Sequence, residues 1–262
     1  MNGKSEIDGN NCESDFIANS PADLANIGKN LLKASKRKFL EEQWQMSRFL
    51  EAMSSSSIFK FPVRVRHTGV RGVPDFQVES GERRIAIELA RISTQDLECG
   101  RFLQSRVKRT MDATTLLREK SKPRTEDEII ATAFATPTFV FGLSSGEQQK
   151  KWVEKVTTQL NEKTTVRQGK QFEHGHEDWL VLWDRIGTDE SEIESRMEAV
   201  KDLLASRWKP DWYSRVFIQQ IEFPHFLAAF SKNEFISIPK DFKMPTHNYP
   251  PGFDFEVLLQ AE

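Results

Sequence analysis

Leu24, Ile27, Leu31, Leu32, Phe39, Leu40, Trp44, Met46, Phe49, Leu50 and Met53 recur at mostly three- and four-residue steps. That spacing predicts one or two amphipathic helices, entered through Ser20 and Pro21, divided at Ser35-Lys36-Arg37-Lys38 and closed by the serines at 54 to 57. The period then falls to two. Phe61, Val63 and Val65 alternate with Pro62, Arg64 and Arg66, predicting a half-buried strand over 59–67 with one apolar and one largely basic face. Two more strands follow at 75–79 and 84–92. Gly69, Gly72 and Pro74 punctuate the first connection and Ser80-Gly81-Glu82 the second, as a small antiparallel meander requires.

Helical spacing returns from Thr94 to Lys120 through Leu97, Phe102, Leu103, Val107, Met111, Leu116 and Leu117, and Pro123 ends it. The remainder alternates: strand 138–143, helix 146–161, strand 179–186, helix 190–208, and strands near 215–221 and 235–238. Residues 164–177 are polar and read as a loop. The expected fold is α/β, a mixed central sheet flanked by helices. Residues 1–20 lack periodicity and read as a tail, 21–143 as the core, and 144–262 as a C-terminal α/β extension on the same sheet.

Composition narrows the classes. No apolar run reaches the roughly 20 residues of a membrane-spanning helix, and the first 16 residues show no basic start followed by an apolar stretch, so a cytosolic protein is expected. Cys12 and Cys99 are too few for a disulfide framework or a cysteine metal site. The net charge of -2 conceals an asymmetry. Residues 33–124 hold 20 basic and 11 acidic side chains, whereas 125–262 hold 15 and 23. A positive middle segment suits a polyanion, because Lys and Arg that neutralise phosphates release condensed counterions. Its plain alternative is a solvated helix surface. The acidic half is a candidate for docking a protein partner or a second copy.

The chemistry concentrates at Pro74-Asp75 and at Glu88 within Ile85-Ala86-Ile87-Glu88-Leu89-Ala90. An ionised carboxylate in an apolar strand is expensive unless a cation compensates it. If the two strands pair through the turn near Gly81, Asp75 and Glu88 lie at the same end of neighbouring strands, with Gln77 and Ala90 on the same face. Mg²⁺ keeps several waters and takes one or two carboxylates beside substrate phosphates, so the pair suffices to start a site. The bland reading makes Asp75 a turn residue after Pro74, with Glu88 paired to Arg64, Arg66 or Arg84 across the sheet.

Pro74-Asp75, twelve intervening residues and Glu88-Leu89-Ala90, within the order helix, three-strand meander, helix, strand, resemble the PD-(D/E)xK nuclease superfamily over about 39–143. The resemblance implies a restriction-endonuclease-like core, Mg²⁺ or Mn²⁺ held by Asp75 and Glu88, and phosphodiester cleavage in DNA of a restriction, repair or defence type. It also implies an assisting acid on the preceding helix, for which Glu51 or Glu41 are candidates. The superfamily's lysine position is Ala90 here. Gln77 is the catalytic candidate beside the two carboxylates, and Gln77, Arg91, Lys108 and Arg109 are the candidates to replace that lysine. Ala90 is also consistent with a module that binds without catalysing, or with a lysine exchanged for alanine. Arg64, Arg66, Arg101, Lys108 and Arg109 are the candidate phosphate contacts. His174-Gly175-His176-Glu177 has ligand-type side chains but no framework, and reads as a loop.

Overall fold

The computed structural model describes residues 14–34, 40–54, 56–69, 73–107, 111, 113–116, 122–134, 145–169, 173–186, 193–208, 212–220, 226–232 and 235–237. The expected strand at 138–143 and the candidates Lys108 and Arg109 lie outside the described residues.

The two apolar stripes form helices α1 (Pro21–Ala34) and α2 (Leu40–Ser54), as the spacing predicts. Strands β2 (Val63–His67), β3 (Phe76–Ser80) and β4 (Arg83–Ile92) make the antiparallel meander. Ser80 pairs with Arg83 across a two-residue turn whose first position, Gly81, has φ 61°, the left-handed region that glycine enters without steric cost. Val63 and Val65 on β2, Phe76 and Val78 on β3, and Ile85 and Ile87 on β4 are buried. Burying six such side chains supplies about 1.5–3 kcal/mol each and fixes the register, since a one-residue slip would turn them to the other face.

The sequence predicts no strand before residue 20. Ser14–Ala18 nevertheless forms β1, antiparallel to β2, with Asp15 opposite Arg66. It begins inside the stretch that reads as a tail because its polar and acidic residues mask a short Phe16-Ile17-Ala18 run.

After β4 come α3 (Gln95–Val107), α4 (Ala113–Leu116) and α5 (Glu126–Ala133), in place of one helix to residue 120. Leu103, Leu116, Ile129, Ala133 and Phe134 form their common core. Helix α6 spans Ser145–Arg167, β5 Glu177–Asp184, α7 Ile193–Arg207, β6 Arg215–Gln220, β7 Phe226–Phe230 and β8 Phe235–Ser237. The strands stand in the order β1 to β8 in one sheet. Backbone bonds from His176 to Arg84 and from Arg185 to Ile92 advance in the same direction along β4 and β5, as parallel pairing demands, whereas β1–β4 and β6–β8 are antiparallel. The sheet is therefore mixed. Among the described residues no helix is long and apolar enough to cross a membrane.

One compact unit takes Met1–Leu89, Lys163–Val181 and Tyr213–Arg215, and the other Ala90–Glu162, Leu182–Trp212 and Val216–Glu262. The last turns of α6 thereby join the unit that contains the meander.

Candidate active site

Strand register builds the site. Phe76 pairs with Ile87, so one further step places Asp75 across from Glu88. Asp75 Oδ2 accepts the Leu89 amide at 2.7 Å, locking the carboxylate onto the next strand. The two acids converge on one face, as the sequence predicts. Glu88 meets none of the arginines proposed for it. Its Oε1 accepts the ammonium of Lys163 at 2.6 Å.

Lys163 is the residue that sequence reasoning missed. It sits on α6, just before a stretch that reads as a loop but continues the helix to Arg167, and the reason for the misreading is visible in the burial. Trp152, Val156 and Leu160 form the buried stripe of α6, and Thr164 continues it at the next four-residue step. The helical period persists while the side chains change from apolar to polar. Tyr213, fully buried, donates its hydroxyl to the Lys163 carbonyl at 3.1 Å and holds the helix backbone at that residue. Arg167, one turn on, lies 5.7 Å from the Tyr213 ring centroid and bridges to Asp178.

The electrostatics follow from burial. Desolvation, then the charges of Glu88 and Glu42, push the Asp75 carboxyl up to about 8, with Lys163 and the Leu89 amide partly opposing. Burial likewise raises Glu88, against the pull of Lys163. For Lys163, burial alone would lower the ammonium, but Glu88 and Asp75 outweigh it and hold it above its ordinary value, so it stays charged. Burial and the Glu88 charge raise the Tyr213 hydroxyl, which keeps it a donor. Two carboxyls that resist ionisation against a single ammonium form a site short of positive charge.

A divalent cation fits that deficit. Among the described residues Glu88 Oε2 is buried without a hydrogen-bond partner, and two carboxylates are the hard oxygen donors that Mg²⁺ or Mn²⁺ takes. Among the described residues no three His, Cys, Asp or Glu side chains group as a complete metal cage. Coordination by the described residues would thus rest on two carboxylates.

The other candidates fall in several places. Gln77 shares the face of Asp75, but its amide donates to Glu173 at 2.8 Å. Arg64 and Arg66 project from the same face, opposite Glu79 and Gln77, and Asp15 of β1 pairs with both, at 3.9 Å from Arg66. Arg101 belongs to the second unit, where it donates to the Arg185 carbonyl. The acid that α2 brings into the field of the site is Glu42. Glu51, one of the two expected candidates, pairs instead with Arg48 at 3.0 Å.

The weaker metal reading of residues 174–177 is answered by their partners. His174 Nδ1 lies 2.6 Å from Asp178 Oδ2, His176 Nδ1 accepts the Arg84 amide, and Glu177 accepts from Arg83 and Trp179. Their side chains serve separate contacts. No family model matches the chain, and no curated protein and no solved structure matches it either.

Proposed function

We propose that the chain is a Mg²⁺- or Mn²⁺-dependent phosphodiesterase acting on DNA, with Asp75 and Glu88 holding the ion and Lys163 taking the place of the lysine that Ala90 lacks. The observation that carries this reading is the Lys163–Glu88 ion pair beside Asp75, because it supplies a fixed cation from a different element to a carboxylate pair that needs one. It also favours catalysis over a binding-only module, for which Ala90 is the main sequence argument.

The residues divide the work. Asp75 and Glu88 present convergent oxygens, fixed by the Leu89 amide and the Lys163 ammonium. When bound, the ion polarises a phosphoryl oxygen and lowers the pKa of a coordinated water. Lys163, held charged beside Glu88, would balance the charge that grows on the phosphoryl oxygens, and its fixed position avoids reorganisation at the moment of reaction. Tyr213 keeps the Lys163 backbone in place. Arg64 and Arg66, on the same face, position the strand through its phosphates and read no base.

The test is cleavage of plasmid and linear DNA by the purified chain with Mg²⁺ or Mn²⁺. Asp75→Asn, Glu88→Gln and Lys163→Met should each lower the rate by about 100-fold or more while the fold is retained. Cleavage that survives all three substitutions, or a pure chain that cuts no DNA with either ion, would overturn the proposal.

A further inference from the structure

Strand β1 brings an acid into the basic face of the sheet. Cross-strand partners share a face, so Asp15 and Ile17 on β1, Arg64 and Arg66 on β2, and Gln77 and Glu79 on β3 project from the side that carries Asp75. Asp75 lies two residues from Gln77, about 7 Å along the strand. Arg66 is the partner of Gln77, so a strand of nucleic acid that runs from the carboxylate pair across β3 and β2 meets Arg66 and then Arg64.

One carboxylate already engages both arginines. Arg64 Nε donates to Asp15 Oδ1 and Oδ2 at 2.9 Å each, and Arg64 Nη2 adds a bond to Oδ2. Arg66 Nη2 stands 3.9 Å from the same oxygen. The other acid beside Arg64 is Glu79, at 3.9 Å from Nη1 and beyond hydrogen-bond reach. The hydrogen bond from Arg64 holds the Asp15 carboxyl below its ordinary value, with burial opposing and the charges of Arg64 and Arg66 assisting, so it is ionised at neutral pH. The guanidinium fork that grips Asp15 is the one that takes two oxygens of a phosphate. Exposure decides how firmly the carboxylate is held. The Asp15, Arg64 and Arg66 side chains are 34%, 42% and 36% exposed. Ion pairs that open to water are weak and screened by salt, so a strand offering several phosphates can displace the acid. Ile17, opposite Arg64, is 63% exposed, which leaves the face open where such a strand would lie.

We infer that Asp15 is an internal competitor for the backbone phosphates of DNA: it occupies Arg64 and neighbours Arg66 in the free chain, and a bound strand displaces it. The inference rests on the phosphodiesterase reading and adds to it a device that regulates access to the same face. No covalent bond is made or broken. The arginines exchange one anion for another.

A short fluorescein-labelled duplex, titrated in EDTA across a range of KCl concentrations, measures both affinity and its salt slope. Asp15→Asn should tighten binding about threefold and steepen the slope by about one phosphate contact, because no displaced carboxylate is left to take up a cation. Arg64→Gln should weaken binding, and Asp15→Asn added to it should gain little, since the group competed for is gone. If Asp15→Asn does not fold, Asp15→Thr, a residue suited to a strand, takes its place in both backgrounds. Unchanged affinity in the folded variant, or an equal gain with and without Arg64, would overturn the competitor and leave the carboxylate site standing. Binding of Mn²⁺, followed by electron paramagnetic resonance, with no duplex bound by either the unaltered chain or Asp15→Asn would likewise overturn the competitor alone. A folded, unaltered chain that binds neither Mn²⁺ nor duplex would overturn the phosphodiesterase reading and the competitor with it.

Discussion

Replacing Lys163 with Met keeps most of the aliphatic stem of the side chain and removes only the charge, so it isolates the pair on which the site is built. The ammonium and Glu88 stand 2.6 Å apart, with side chains 26% and 6% exposed. Their gross attraction is about 6 kcal/mol at an effective dielectric constant of 20, much of it offset by desolvation. Without the lysine, Glu88 escapes the uncompensated charge by binding a proton. For a glutamate of ordinary pKa 4.5, that costs about 4.8 kcal/mol at pH 8, and burial, which already favours the neutral form, reduces it. The expected loss is therefore about 2–3 kcal/mol at pH 8, shrinking toward pH 5 as the proton becomes freely available. Equilibrium urea unfolding in EDTA measures it. The double variant Lys163→Met/Glu88→Gln should regain most of the loss, because the orphaned charge is gone. A single variant as stable as the unaltered chain at pH 8, with a double variant no more stable than the single one, would refute the reasoning.

Other consequences are independent of that pair. Asp75 titrates near 8 in the folded chain and near 3.8 when unfolded, so its contribution to stability is full below 3.8 and is lost as pH rises through 8. Thermal melts in EDTA should fall between pH 4 and pH 8, and Asp75→Asn should flatten that slope. Gly175→Ala should cost about 1–3 kcal/mol in denaturant unfolding, because its Cβ meets backbone on β4 that has little room to retreat. Thr125 accepts the Glu128 amide while Glu128 accepts the Thr125 amide, a complete capping box at the start of α5. Thr125→Ala should therefore cost about 1 kcal/mol by the same measurement.

Local rules make much of the framework legible. Helical spacing locates α1 and α2, and period-two alternation with Gly81 locates the meander and hence the convergence of Asp75 and Glu88. Elements that break the rules escape for identifiable reasons. β1 is five residues long in a polar context, and β7, Phe226–Phe230, is a short apolar run without alternation. α5 carries only two buried residues, Ile129 and Ala133, although its Thr125 and Glu128 spell a capping box. The most consequential omission is the end of α6, where a buried stripe turns polar because it meets carboxylates instead of a core. Periodicity counted on apolar residues stops short of Lys163, which leaves that residue outside the expected helix. Glu42, rather than Glu41 or Glu51, is likewise beyond reach, since all three share one helix and only tertiary packing chooses among them.

The central claim is that Asp75 and Glu88 share one divalent cation. Electron paramagnetic resonance of Mn²⁺ titrated into the full chain at pH 8, without nucleic acid, tests it most directly. One saturable ion in the unaltered chain, lost in both Asp75→Asn and Glu88→Gln, is the predicted result. No saturable ion, or one that persists in both variants, would contradict it.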